Sequence, residues 1–442
     1  MNTQARSRPP NPSGGSQRGR RVRSQGVALI LVGAGAILGW LVPRWERHLP
    51  VSGLSFDAST AQATLAAIAG SMITLAGFVV TAITLVVQTV QSMSPRLVSA
   101  LGHFSRYLVL FGLLIGTALY ALVALSHVRG DDVPRLTVTF AIGLVLCDAV
   151  AVLYLLGSLR HAVTGGGLAR AVGDRLRTVI EQTTPLPDSP SPPPADPGPP
   201  SRTGREAVVL ARQGEPSVLL ALDERRLTQL AARHDVHIQL LRAVGDFVGT
   251  GEAVASVEPA GSSHPLDART VRRFAACVRY GPSRTVEQDA AYGLRLLVDI
   301  AIRALSPAIN DPTTAVQALD QIEDALLRLA ARPLGPVRLA DDTGRPRVLC
   351  PAPHWDDLVS LALDESVQYG ALNPQVVRRL RMLLDRVLAV TPAERRAVVE
   401  ERRAALDRLA AATLTDPLLS RVASVPDRQG LGGSYVRGAG EM

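Results

Sequence analysis

Four long apolar runs fill most of the first 160 residues, and they limit the fold more than anything after them. They lie at about 26–42, 63–90, 107–127 and 136–159. A helix of about 20 apolar residues crosses the hydrocarbon of a bilayer. This part of the chain therefore reads as an α-helical membrane bundle of four transmembrane helices. The first run, Gly26–Val42, is short, with Trp40 and Trp45 as interfacial anchors. A cleaved signal peptide competes for this run, since Arg20-Arg21 faintly resembles a twin-arginine signal. No small-x-small cleavage site follows, and Arg44-Trp45 looks like a stop, which favours a retained helix.

The arginines orient these spans. Residues 1–24 carry Arg6, Arg8, Arg18, Arg20, Arg21 and Arg23 with no acid. Arg96 and Arg106 lie between spans two and three, and Arg160, His161 and Arg170 follow span four. Between spans three and four, Arg129, Asp131, Asp132 and Arg135 nearly cancel. Basic loops stay on the cytoplasmic side. The expectation is a multi-pass protein of the bacterial cytoplasmic (inner) membrane, with both termini cytoplasmic and the lipid bilayer as its first partner. The net charge of +8 gathers at membrane flanks, so no nucleic-acid partner is expected. All 47 basic residues are arginine, which excludes Schiff-base, P-loop and biotinyl or lipoyl attachment chemistry. The three cysteines, Cys147, Cys277 and Cys350, are far apart. They suggest no disulfide framework and no metal site. No cofactor is expected.

After the spans, residues 163–205 read as a Gly hinge (Gly165–Gly167), an amphipathic stretch and a linker. Pro185–Pro200 holds nine prolines in sixteen residues, a semi-rigid spacer. Residues 206–262 read as a small α/β subdomain, with strands at Ser217–Leu222, His237–Leu241 and Ala253–Val257 and a helix at Asp223–His234. The string GDFVGTGEAVASV faintly resembles biotinyl-type barrels but has no lysine. Residues 263–422 read as a helical cytoplasmic domain with one hairpin near Val337–Leu349. Residues 1–24 and 423–442 read as disordered. The fold class is thus a membrane bundle followed by a mainly helical α+β soluble cytoplasmic domain.

Three constellations stand out. In the second span Ser71, Thr74, Thr81, Thr84, Gln88 and Gln91 follow one another at helical spacing and share a face. Such a strip lines a pore, or its hydroxyls bond back to the helix. Gly70 and Gly77 would let another helix approach. In the fourth span Asp148 sits near mid-membrane, a position that marks a functional candidate. It would pair with a hydroxyl such as Thr74 or Thr81, or lie nearer an interface. In the soluble part, Arg284, Asp289, Arg295, Asp299, Arg303, Asn310 and Asp311 form either an anion-binding group or a structural ion network. Arg295, Asp299 and Arg303 are spaced i, i+4, i+8 on one helix. Asp311 is suited to cap the helix that Pro312 begins.

The segment RTVEQDAAYGLRLLVDIAIRALSPAINDPTTA is similar to the signature of a bacterial membrane protein family catalogued as domain of unknown function 2254. The likeness continues in GSMITLAGFVVTAITLVVQTVQSMSPR and DDTGRPRV, from about Ala61 to about Ala389. It implies a helical membrane region followed by a soluble domain, with no established activity and no catalytic residues. The residues themselves favour an oligomeric channel or transport-related protein, most simply a homo-oligomer, with a regulatory soluble domain. The alternative is a tethered ligand sensor or scaffold, with a small anion on the cytoplasmic domain. No phosphate loop, nucleophile elbow or metal-ligand spacing is present, so the chain is not read as an enzyme, and a membrane-bound hydrolase is left open.

Overall fold

The computed structural model describes residues 17–46, 57–93, 104–128, 135–163, 165–184, 207–260 and 266–425. The chain forms two compact units, Pro12–Gly167 and Leu168–Met442. The Pro-rich linker, Arg6, Arg8, Arg96 and Arg129 of the arginines invoked for orientation, and the end of the tail lie outside the described residues.

The first unit contains helices α1 (Gln17–Glu46), α2 (Ala58–Met93), α3 (Phe104–Leu125) and α4 (Arg135–Val163). All four are long and apolar enough to cross a membrane, over Gln25–Glu46, Ala58–Gln88, Tyr107–Leu125 and Arg135–Gly157. Helices packing in lipid gain little from apolar burial and rely on close backbone approach at small residues. Here the close approach is between α1 and α3, through Gly35 and Gly39 on one and Gly112 and Gly116 on the other. A Cβ on Gly39 would lie 2.6 Å from the Tyr120 carbonyl oxygen. On Gly112 it would lie 2.7 Å from that of Ala28, and on Gly116 2.7 Å from that of Leu31. Gly70 and Gly77 meet nothing within 4 Å, so the expected close approach does not occur there within this chain. At the start of α4 the Glu46 carboxylate accepts from the Leu136 and Thr137 N–H groups at 2.6 and 3.0 Å. It thereby caps donors that the helix leaves unpaired and meets the positive end of the helix dipole.

The second unit begins on α5 (Gly165–Thr183). From Leu168 onward this helix buries Leu168, Val172, Leu176 and Ile180, one apolar stripe. The remaining helices are α6 (Glu224–Arg233), α7 (Ala268–Ala275), α8 (Ala290–Ala304), α9 (Pro312–Ala330), α10 (Trp355–Gly370), α11 (Pro374–Val390), α12 (Arg396–Thr413) and α13 (Pro417–Ser424). Strands are β1 (Val208–Ala211), β2 (Ser217–Leu222), β3 (Val236–Leu240), β4 (Phe247–Val248), β5 (Ala253–Pro259), β6 (Val278–Gly281), β7 (Val337–Ala340) and β8 (Pro346–Cys350). They pair as a five-stranded sheet, β1-β5-β3-β8-β7, and a three-stranded sheet, β4-β2-β6. Both sheets draw strands from either side of residue 263. A separate subdomain over 206–262 therefore gives way to one α+β unit, in which the β7–β8 hairpin completes a sheet begun a hundred residues earlier.

The amphipathic stretch at Leu168–Glu181, expected as part of the linker region, belongs to this unit. The side chain of Gln321 on α9 packs over Gly173, and Arg177 pairs with Asp324 at 3.1 Å. Arg332 donates to the Ile180 and Thr184 carbonyls at the end of α5, satisfying acceptors that the last turn leaves open. At the centre lies α8, which buries Leu294, Leu296, Leu297, Val298 and Ile300. Each such side chain contributes about 1.5–3 kcal/mol on burial.

Candidate functional site

The site in the first unit is built by two helices with different faces. The buried positions of α2, Leu65, Ala69, Met72, Ala76 and Val79, recur at helical spacing and pack into the bundle. The opposite face carries Ser71, Thr74, Thr81, Thr84 and Gln88, all exposed. Thr74, Thr81 and Thr84 donate to the carbonyls of Gly70, Gly77 and Val80 at 2.9, 3.1 and 2.9 Å. Their hydroxyl protons are engaged within the helix, and the oxygens keep acceptor capacity on an exposed face. The side chain of Gln91 lies outside the described residues.

Asp148 sits on the face of α4 that also bears Val145 and Val152, and it is 0 % exposed. The expected partners Thr74 and Thr81 do not reach it. They are exposed and bond to their own helix. The polar side chain beside it is Thr117 on α3, 2 % exposed. Both carboxyl oxygens of Asp148 and the hydroxyl of Thr117 lack a hydrogen-bond partner among the described residues. A charged group midway along a membrane-crossing helix costs about 2.5–3.5 kcal/mol even on insertion scales. Thr117 was not singled out in the sequence, because a lone Thr in an apolar helix carries no signal until its neighbour is known.

In the second unit the charged constellation divides into three parts. Asp289 is the N-cap of α8, accepting from the Tyr292 N–H at 2.8 Å, and pairs with Arg284 through two bonds of 2.8 and 3.0 Å. Burial pushes its carboxyl above the ordinary range, against the pull of the Arg284 guanidinium. Gly245, with φ of +100°, brings the turn before β4 against this pair. Along α8, Arg295 bonds Asp299 at 2.8 Å and also reaches Glu365 on α10 at 2.5 and 2.9 Å. That bidentate contact fixes the α8–α10 packing and lies outside the sequence motif. Arg303, the last rung of the ladder, is exposed. In the turn after α8, Asn310 is exposed with a positive φ of 48°. Asp311 caps α9, accepting from the Thr314 N–H at 3.0 Å. Arg284–Asp289, Arg295–Glu365 and Asp311 are thus separate contacts: the first ties the start of α8 to the preceding loop, the second joins α8 to α10, and the third caps α9. Among the described residues no group of three or more His, Cys, Asp or Glu is placed to hold a metal.

Four helices suited to crossing a membrane, followed by a mostly helical unit with two small sheets, define the class: a predicted membrane protein with an α+β unit after its candidate spans. The chain belongs to the family described as predicted membrane protein DUF2254, whose profile matches residues 25–386. It is similar to an uncharacterized protein of Mycobacterium bovis, with 29% identity over 388 residues, covering 84% of this chain and 72% of the relative. An uncharacterized protein of Mycobacterium tuberculosis matches to the same extent. No solved structure matches the chain.

Proposed function

We propose that the protein is an oligomeric channel or transport-related protein of the bacterial cytoplasmic membrane, without enzymatic activity, whose α2 helices face one another around a pathway. The observation that carries this reading is the exposed polar face of α2, set opposite the face that packs in the bundle. Its hydroxyls and amide, interleaved with exposed Phe78 and Leu85, are covered more favourably by a second copy or by water than by acyl chains. Because the three threonine protons are engaged within the helix, the face offers mainly acceptor oxygens, which suits water and cations over anions. In this reading both termini are cytoplasmic and the second unit regulates the assembly.

The test is ionic conductance of the purified protein in a planar bilayer, wild type beside the double variant Thr81→Leu/Thr84→Leu. Discrete conductance that is lost in the folded variant supports the pore wall. A silent bilayer across voltage and tension sinks it and favours a tethered sensor, for which exposed Arg303 and Asn310 offer the open polar groups.

A further inference from the structure

Asp148 needs an occupant that the polar face of α2 does not supply. Its two oxygens and the Thr117 hydroxyl are three orphaned polar atoms at a closed contact between α3 and α4. Among the described residues the polar side chain beside the carboxyl is that of Thr117. On the same helix faces lie Leu114 of α3 and Val145 and Val152 of α4, which belong to one apolar cluster with Met72 and Ala76 of α2. A metal cation of either charge asks for more oxygens than this. Calcium takes six to eight and magnesium an octahedron, whereas a carboxylate and one hydroxyl supply three. The carbonyls of intact helical turns are committed to their own ladders. A proton needs only one oxygen of the carboxyl, and once bound it turns that oxygen into a donor for Thr117.

We propose that Asp148 and Thr117 form a reversible proton-binding site inside the membrane bundle. With α3 and α4 packed as described, the carboxyl is held as the neutral acid, and a small side-chain rotation lets its O–H donate to the Thr117 Oγ1, which the structure leaves without a partner. When the two helices part enough to admit water, the proton leaves to that water and the carboxylate is solvated. The site thus couples one proton to the α3–α4 contact. It stands apart from the α2 reading, since it uses neither the polar face nor an oligomer.

The experiment uses the full chain in phospholipid vesicles, wild type and Asp148→Asn, treated with dicyclohexylcarbodiimide, which attacks the protonated carboxyl. Mass analysis of the peptide containing Asp148 reads the adduct, and infrared difference spectra between the two proteins read the carboxylic C=O band. The expected result is an adduct at neutral pH that falls as pH rises and is unchanged by sodium or potassium, with a C=O band that shifts in heavy water. Thr117→Val should move the band to higher frequency, as a carboxyl losing its acceptor does, while Thr117→Ser leaves it in place. Protection of the adduct by sodium overturns the proposal in favour of a metal cation. Absence of both adduct and band overturns it outright. A band that neither exchanges with heavy water nor responds to pH leaves a fixed structural acid and overturns the reversible site.

Discussion

Gly245 is the residue on which the Arg284–Asp289 pair closes. Its φ of +100° is a conformation that a side chain resists, and an added Cβ would press on both the Asp289 carboxylate and the Arg284 guanidinium. Gly245→Ala is therefore expected to destabilise the second unit by about 1–3 kcal/mol, read as a lower urea midpoint. Glu365 gives a prediction with a pH sign. Hydrogen bonds from Arg295 hold its carboxyl below the ordinary 4.5. The folded state then binds fewer protons there than the unfolded chain, so this contribution is present above the ordinary value and is lost as pH falls through the lowered one. Thermal scans between neutral and acid pH should show Glu365→Gln less stable at neutral pH and less sensitive to acid than wild type. Asp341 adds to the same acid limb. Against its burial, bonds from Thr343 and Arg347 hold it well below the usual carboxylate range.

Between elements, the glycines make a sharp contrast. Gly116 lies against the Leu31 carbonyl, whereas Gly70 faces open space. Gly116→Val forces α1 from α3 and should lower the melting temperature in detergent, with overpacking of this kind costing about 1–3 kcal/mol. Gly70→Ala should leave that temperature unchanged and alter only the oligomer distribution on native gels or in crosslinking. The sequence shows which helices exist, because their period and caps are local. The N-cap Asp311 is legible to the residue. What it hides is partner choice. Gly35, Gly39, Gly112 and Gly116 look no different along the chain from Gly70 and Gly77, and only the facing helix decides which matter. Strands β1, β4 and β6 are two to four residues long and owe their form to distant pairing, so no local alternation announces them. Glu365 and Thr117 were missed for the same reason. Each acquires its role from a residue on another helix.

For the whole molecule, the division at Gly167/Leu168 falls ahead of the proline-rich stretch that looks like the boundary in the sequence. A fragment of residues 168–442 should therefore melt cooperatively. One starting at residue 206, which keeps every strand but loses α5, exposes the packing surfaces of Leu176 against Gly293 and of Arg332 against the end of α5. It should melt lower or aggregate, as scanning calorimetry of the two fragments would show. The Glu46 cap on α4 carries a consequence for biogenesis. Its N–H partner lies 90 residues further along the chain. At 5–20 residues per second the carboxylate waits on the order of 5–20 s for that partner to leave the ribosome. The first three helices are thus synthesised before the carboxylate at the end of α1 meets its N–H donors. Slowing translation between Glu46 and Leu136 should lengthen the life of that half-made intermediate, the stage at which a quality-control protease has most to recognise.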